Sequence, residues 1–331
     1  MQKWKTTVLF AIWLILVPFS VVFGGGGRET ASDTAGGSSG ADTGAAAAGT
    51  IDAFVSILPQ KYLAEQVGGE LADVEVLVKP GQSPHAYEPS PSQMVALGKA
   101  DILFTIGVEF EKALLPKIRS NLPDLEIVAA NRGIEYRRMH GGGEDHGHGE
   151  DADARGEEHD GEHEEHEETG MDPHVWLSPE NGKIIARNMR DAFIDIAPAH
   201  RSTLEENYRA LAEKIDKVNA ALEESLRPLR GETFFVFHPS FGYFADEYGL
   251  EQAAIEVEGH EPGPRELEEI ISRAKERGVR VIFVQPQFSK KSAEAVAEAI
   301  GGAVVPIDPL AYDWLDNLKR IGEKVKQGLS N

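Results

Sequence analysis

The sequence predicts an α/β protein of two similar lobes, each with a central, mostly parallel sheet flanked by helices, joined by one long bridging helix. In both halves of the chain, short runs of β-branched and aromatic residues alternate with helical patterns, which is typical of parallel sheets covered by helices. Between the halves, apolar residues recur every three or four positions from about Ser202, as on one face of a helix. About 26 residues at 1.5 Å each would give a helix of about 39 Å.

The first 49 residues predict export rather than folded structure. A basic start at Lys3 and Lys5 precedes an apolar run over residues 8–23, which is typical of an export signal. Residues 25–49 are rich in Gly, Ala, Ser and Thr, as in a flexible linker. We therefore interpret residues 1–24 as an export signal and expect a periplasmic or extracytoplasmic protein, which an uncleaved signal would tether to the membrane.

Residues 50–178 are predicted to form the first lobe. Ser90 is expected to cap one helix, and Pro116 is expected to interrupt another over residues 113–122. A proline-rich loop at residues 79–91 is unsuited to a helix or a strand. Four short apolar runs predict the strands, at residues 51–56, 74–78, 102–106 and 125–129.

An acidic, histidine-rich insert lies within this lobe at residues 140–170. It carries thirteen Asp and Glu residues and one Arg, and so more than half of the chain's net charge of −22. Its low hydrophobicity predicts disorder, and the acidic charge argues against nucleic acid as a partner. We expect the insert to bind metal ions weakly at several sites, although a solvated acidic loop would have the same composition. Its histidines are His140, His146, His148, His159, His163 and His166.

Residues 179–229 are predicted to be a helical segment that includes the bridging helix, and residues 230–331 the second lobe. Ser178 and Pro179 form a helix start. The apolar stripe of the bridging helix is expected to pack into the core. Strands of the second lobe are predicted at residues 233–237, 253–257, 279–284 and 303–307.

Three histidines and one aspartate form a candidate metal site. His85, His174 and His238 each neighbour a proline, and His238 and Asp308 directly follow predicted strands. In such sheets ligands lie at the carboxyl ends of strands, and prolines would fix the direction of the imidazoles. Three imidazoles and a carboxylate suit zinc. The chain has no cysteine, so a thiolate site is excluded.

Four motifs resemble those of the metal-binding family of ABC-transporter solute-binding proteins. They are PGQSPHAYEPS at residues 80–90, MDPHVWL at 171–177, FVFHPSFGYF at 235–244 and IDPL at 307–310. The resemblance covers residue 51 to the C-terminus and implies two α/β lobes bridged by one long helix, with the metal between the lobes.

By this resemblance, His85, His174 and His238 are metal ligands and Asp308 is the fourth. Members that resemble the manganese binders have Glu at the third position, so His238 indicates the zinc-uptake branch. In that branch the carboxylate can stand back and leave water in the fourth place.

The resemblance implies a non-catalytic, extracytoplasmic receptor with high affinity for zinc, which is its transported ligand. Its partner would be an ABC-type permease with a cytoplasmic ATPase, and we expect a monomer. A manganese or iron receptor of the same family and an exported zinc hydrolase are the alternatives. No His-Glu-x-x-His helix supports the hydrolase. Other candidates are Glu88 and Asp172, which could orient the ligand imidazoles, and His260, which could approach the cleft.

Overall fold

The computed structural model describes residues 50–139, 170–256, 262–288 and 290–330. The predicted export signal and linker, the six histidines of the insert, and His260 lie outside these ranges. Within the described ranges, no helix combines the length and the apolar character needed to span a membrane.

The first lobe is a four-stranded parallel sheet, as predicted. The strand order is β2-β1-β3-β4, and all neighbouring strands run parallel. The strands are β1 (Ile51–Val55), β2 (Ala72–Val76), β3 (Ile102–Thr105) and β4 (Glu126–Ala129), and the helices are α1 (Leu58–Gly68), α2 (Pro91–Leu97) and α3 (Glu109–Asn121).

Two helices follow the first lobe, and the second of them is the predicted bridging helix. Ser178 caps α4 (Pro179–Ile196) by accepting a hydrogen bond from the Asn181 backbone at 3.2 Å. The next helix, α5 (Arg201–Leu226), is 26 residues long.

The second lobe repeats the topology of the first. Its strand order, β6-β5-β7-β8, is the order of the first sheet, and all pairs are again parallel. The two lobes are therefore similar, as the sequence predicts. The strands are β5 (Thr233–Val236), β6 (Glu251–Ala254), β7 (Val281–Val284) and β8 (Ala303–Pro306), and the helices are α6 (Gly242–Tyr248), α7 (Pro264–Glu276), α8 (Lys291–Ile300) and α9 (Trp314–Leu329).

The bridging helix is part of a core that extends through both lobes. It packs against α1 of the first lobe and α9 of the second. At Gly322 a Cβ would lie 2.3 Å from a Leu222 methyl group, so the glycine permits the close approach of α9. The apolar stripe of α5 is buried as predicted, at Leu204, Leu211, Ile215, Val218, Leu222 and Leu226.

Two tryptophans tie the lobes together. The indole N–H of Trp176 donates to the Pro309 carbonyl at 2.8 Å, and that of Trp314 donates to the Trp176 carbonyl at 2.7 Å. Both side chains are at most 1% exposed. These bonds fix the backbone on either side of the cleft.

Two of the predicted elements differ from the structure in ways that affect the site. Helix α3 begins at Glu109, four residues before the predicted start, and continues through Pro116. Pro116 is exposed, so water can satisfy the carbonyl that loses its helical donor. Strand β6 ends at Ala254, where it pairs with Val236 at the end of β5, so Glu256 follows the strand instead of lying within it.

Candidate metal centre

His85 is presented by a short, stiff turn in the proline-rich loop. The turn is a 3₁₀ helix, Pro84–Ala86, whose first residue is a buried proline with a fixed φ angle. The Ser83 hydroxyl accepts a hydrogen bond from the His85 backbone N–H at 3.3 Å. The imidazole is partly exposed and lies 3.4 Å from a carboxylate oxygen of Glu109, at the first residue of α3.

His174 is held by its own neighbours in the chain. Asp172 Oδ1 accepts hydrogen bonds from the His174 ring Nδ1 at 2.8 Å and from its backbone N–H at 3.0 Å. Asp172 is fully buried. A second 3₁₀ helix, Val175–Leu177, follows at once and buries all three of its residues. Both the ring and the backbone of His174 are therefore fixed before any ion binds.

His238 follows β5 and is the counterpart from the second lobe. Its ring Nδ1 lies 2.5 Å from Oε2 of Glu256, and its ring stacks on Phe288 at 4.7 Å between centroids. The Gln285 side chain accepts from the His238 N–H at 3.2 Å and donates to its carbonyl at 2.6 Å. The second lobe therefore fixes this ring as firmly as the first lobe fixes His174.

The three imidazoles meet at their Nε2 atoms. The Nε2 of His238 lies 3.2 Å from that of His85 and 3.4 Å from that of His174. Two nitrogens bound to one tetrahedral zinc at about 2.0–2.1 Å would be about 3.3–3.4 Å apart. The two separations from His238 therefore fit ligands of a single tetrahedral ion, and the three candidate ligand atoms all lie within 4.8 Å of one another.

The carboxylates decide which ring nitrogens face one another. A carboxylate accepts hydrogen bonds, so each Nδ1 beside Glu109, Asp172 or Glu256 carries the hydrogen and each Nε2 presents a lone pair. Three lone pairs directed at one point repel one another unless a cation lies between them. The arrangement can therefore hold one metal ion. Within the described ranges, these three histidines form the group of side chains that could bind a metal.

Burial favours the neutral, metal-binding form of the His85 and His238 imidazoles. It lowers the pKa of His238 below its usual value, although the Glu256 hydrogen bond opposes this shift. Burial and the neighbouring His238 likewise lower the pKa of His85, against the effect of Glu109. Burial alone would raise the pKa of Asp172, but the hydrogen bonds from His174 and Arg137 outweigh it and lower that pKa.

Arg137 connects the Asp172 carboxylate behind His174 to the second lobe. Its guanidinium donates to Asp172 Oδ2 at 3.0 Å and to Asp246 Oδ2 on α6 at 2.7 Å. A Cβ at Gly242, the first residue of α6, would lie 1.7 Å from the same guanidinium. Only glycine therefore leaves room for the Arg137 side chain between the two carboxylates.

The imidazoles line a small, partly open space, which we call the histidine cavity. Its volume is about 20 Å³, and besides the three histidines it is lined by Glu109, Trp176, Ser240 and Gln287, among others. This is room for about one ion or one water molecule. The cavity is therefore suited to a bare ion and not to a larger solute.

Two of the sequence-predicted site residues are placed differently from the expectation. Asp308 is not grouped with the three histidines; its Oδ1 accepts from the Gln287 amide and from the Leu310 backbone N–H, both at 3.0 Å. Glu88 is exposed, because the chain turns away from His85 towards α2, and the carboxylate facing that ring is Glu109. Asp172 does contact a candidate ligand, as expected.

Sequence reasoning missed four residues that shape the site: Glu109, Arg137, Glu256 and Gln287. Each is separated from its partner by 18 to 35 positions in the chain, so no local pattern connects the two. For Glu109 a signal existed, since it and Glu111 are acidic residues in the first turn of α3, a position typical of a helix start.

Known sequences resemble this chain along most of its length. The model of the family described as "Zinc-uptake complex component A periplasmic" matches residues 54–328. The zinc-binding lipoprotein AdcA of Streptococcus pneumoniae is 29% identical over 265 residues, or 79% of this chain and 50% of that protein. The chain thus spans about half the length of the AdcA proteins that it matches.

A second curated relative matches over most of its own length. The iron-binding protein YfeA of Yersinia pestis is 26% identical over 257 residues, which is 75% of each chain. Among solved structures, a crystal structure of ZnuA is 36% identical, covers 85% of this chain and 99% of that one, and superposes with a TM-score of 0.75. With the family match over residues 54–328, these findings show that the chain belongs to the family of periplasmic A components of zinc-uptake complexes.

Proposed function

We propose that this protein is an extracytoplasmic receptor that binds one Zn²⁺ through His85, His174 and His238. The convergence of three Nε2 lone pairs, each set by a carboxylate behind its ring, supports this proposal most strongly. An ion bound there would be contacted from both lobes. The names of the relatives, which are metal-binding and zinc-uptake proteins, agree with this function and give no support to the hydrolase alternative.

The donor set favours zinc over manganese or iron. Imidazole nitrogens suit zinc, whereas manganese prefers carboxylate, carbonyl and water oxygens and higher coordination numbers. Iron is the second candidate, because one relative is named an iron-binding protein. Three converging imidazole nitrogens in a cavity for one ion fit zinc better than an ion that needs six ligands.

The receptor would deliver its zinc to an ABC-type permease driven by a cytoplasmic ATPase, in keeping with the family's description as one component of a zinc-uptake complex. We propose that the insert at residues 140–170 adds weak zinc binding outside the tight site. The monomeric state and the tethering by an uncleaved signal stay predictions.

The test is calorimetric titration of the full chain with Zn²⁺, Mn²⁺ and Fe²⁺, together with the His238→Ala variant and a deletion of residues 140–168. We expect one tight zinc site that survives the deletion and much weaker binding of the other ions. Four-ligand zinc sites contribute about 10–16 kcal/mol, so loss of one ligand should cost about 3 kcal/mol, or about a hundredfold in affinity.

Two outcomes would contradict the proposal. Tight zinc binding that disappears with the insert but survives His238→Ala would place the functional site in the insert. Iron or manganese binding as tight as zinc binding would favour the alternative receptors. His200→Ala is a matched control, because His200 lies at the start of α5 and should leave the tight site unaffected.

A further inference from the structure

Gln287 combines two features that the receptor function does not yet explain. Its Nε2 donates to Asp308 Oδ1 at 3.0 Å. Its Oε1 is buried and has no hydrogen-bond partner among the described residues. A buried amide oxygen without a donor costs about 1–3 kcal/mol, so such atoms usually mark a place for a water molecule or a ligand.

Gln287 also lies between two cavities. On one side is the histidine cavity. On the other is a space of about 260 Å³, the second cavity, which is lined by Asp308, Lys79 and Gln82 among others. Gln287 and Leu310 are the residues that line both spaces, whereas Asp308 lines the second cavity alone. The amide therefore stands between the Asp308 carboxylate and the imidazoles.

We propose that Gln287 determines the fourth ligand of the bound metal. Its N–H holds Asp308 in the second cavity, and its orphaned Oε1 accepts a hydrogen bond from a water molecule bound to the metal. The ion is then held by three imidazole nitrogens and one water. This inference rests on the proposed function, and it adds the residue that keeps the carboxylate out of the metal's coordination shell.

The arrangement has a consequence for metal selectivity. Three nitrogens and one water satisfy tetrahedral zinc. A free Asp308 carboxylate could add one or two oxygen ligands, which raise the coordination number and suit manganese better. Gln287 therefore favours zinc by withholding an oxygen donor, and its loss should make the site more tolerant of manganese.

The experiment measures Zn²⁺ and Mn²⁺ affinities of the full chain in four forms: the unaltered protein, Gln287→Ala, Asp308→Asn and the double variant. Gln287→Ala should reduce the zinc-to-manganese affinity ratio by about tenfold, the lower end of the effect of outer-shell partners on metal affinity. Asp308→Asn alone should lower the zinc affinity much less than His238→Ala does. In the double variant the gain in manganese affinity should disappear, because the carboxylate that produces it is gone.

Cobalt(II) absorption gives an independent readout of coordination number, which a purely structural defect would not change. Four-coordinate cobalt absorbs visible light strongly, and the absorption weakens as ligands are added. We expect a strong spectrum in the unaltered protein, a weaker one in Gln287→Ala, and a strong one again in the double variant. Gln82→Ala is the matched control, since this exposed glutamine of the second cavity accepts from the Lys79 backbone and should leave the ratio and the spectrum unchanged.

Clear results would overturn the proposal. An unchanged affinity ratio in Gln287→Ala, or effects of the two substitutions that simply add, would exclude a coupling between Gln287 and Asp308. A loss of zinc affinity in Asp308→Asn as large as in His238→Ala would show that the aspartate is itself a ligand. In each of these cases the unaltered protein still binds zinc tightly, whereas failure of the proposed function would remove that binding.

Discussion

The buried and exposed parts of the candidate metal site are built differently. His174 and His238 have side chains that are 6% and 7% exposed, and the carboxylates behind them, Asp172 and Glu256, are 0% and 6% exposed. The side chain of His85 is 34% exposed, and its carboxylate, Glu109, is 72% exposed. Two of the candidate ligands are therefore fixed inside the protein, and one lies at the edge of the site.

The difference in burial gives the site both two rigid rings and one accessible ring. The rings of His174 and His238 are each held by a short hydrogen bond and by an aromatic neighbour, Trp176 or Phe288. The His85 ring has a long contact of 3.4 Å with a solvated carboxylate. His85 is therefore the least constrained of the three rings, and we expect an ion to enter on its side and to complete its contacts with a preformed pair.

The largest expected difference lies between the two types of carboxylate. Asp172→Asn should lower zinc affinity by about 10–100-fold, the usual effect of removing a partner behind a ligand histidine. Glu109→Gln should lower it by less than about fivefold, because exposed ionic contacts contribute about 0–1 kcal/mol. Competitive titration against a zinc chelator measures both. Equal losses would show that burial of the carboxylate is not what fixes the ligand.

Arg137 allows the same comparison at a single residue, because its guanidinium donates to one buried and one exposed carboxylate. Arg137→Gln should lower zinc affinity by about tenfold, since it leaves the buried Asp172 without its cationic partner. Asp246→Asn removes only the partner that is 59% exposed, and we expect less than about a fivefold change. The same chelator titration measures both variants, and a larger effect of Asp246→Asn would contradict this assignment.

A smaller effect is expected from pH. Zinc binds neutral imidazole and competes with protons, and the pKa values of His85 and His238 lie below their usual value near 6.5. The decrease in zinc affinity on acidification should therefore begin at a lower pH than it would for histidines of ordinary pKa. Titrations between neutral and mildly acidic pH test this sign. A decrease that begins well above neutral pH would mean that the site binds protons more readily than its burial allows.

The smallest expected effect is on overall shape. The bridging helix α5 contacts helices of both lobes, and Trp176 is bonded across the cleft, so zinc binding should produce at most a modest closure. We expect X-ray scattering to give the same radius of gyration with and without Zn²⁺ within experimental error. A large zinc-dependent decrease would show a wide hinge and contradict this prediction.

The elements of the fold could be predicted because their signals are local. The apolar runs of both sheets and the stripe of α5 match the observed strands and bridging helix within a few residues. The boundaries that shifted, at β6 and α3, depend on the pairing of distant strands and on the solvent exposure of Pro116, and neither can be derived from a short window of sequence.

The site could be predicted in part for the same reason. The three histidines stand out through their prolines and their positions relative to strands, and Asp172 lies two residues from His174. The pairing of Glu109 with His85 and of Glu256 with His238 has no local signal, because these carboxylates reach the rings only after the chain has folded. Asp308 follows a strand as predicted, but the amide that holds it comes from another loop.

The common core of the two lobes has a consequence for unfolding. One hydrophobic cluster includes residues of both sheets and of α5, whereas a second, smaller one lies entirely within the second lobe between its sheet and helices α7 and α8. The main body should therefore lose its structure in a single cooperative transition. The α7–α8 layer, which has a core of its own, is the part that can open locally at lower free energy and admit hydrogen exchange while the larger cluster remains intact.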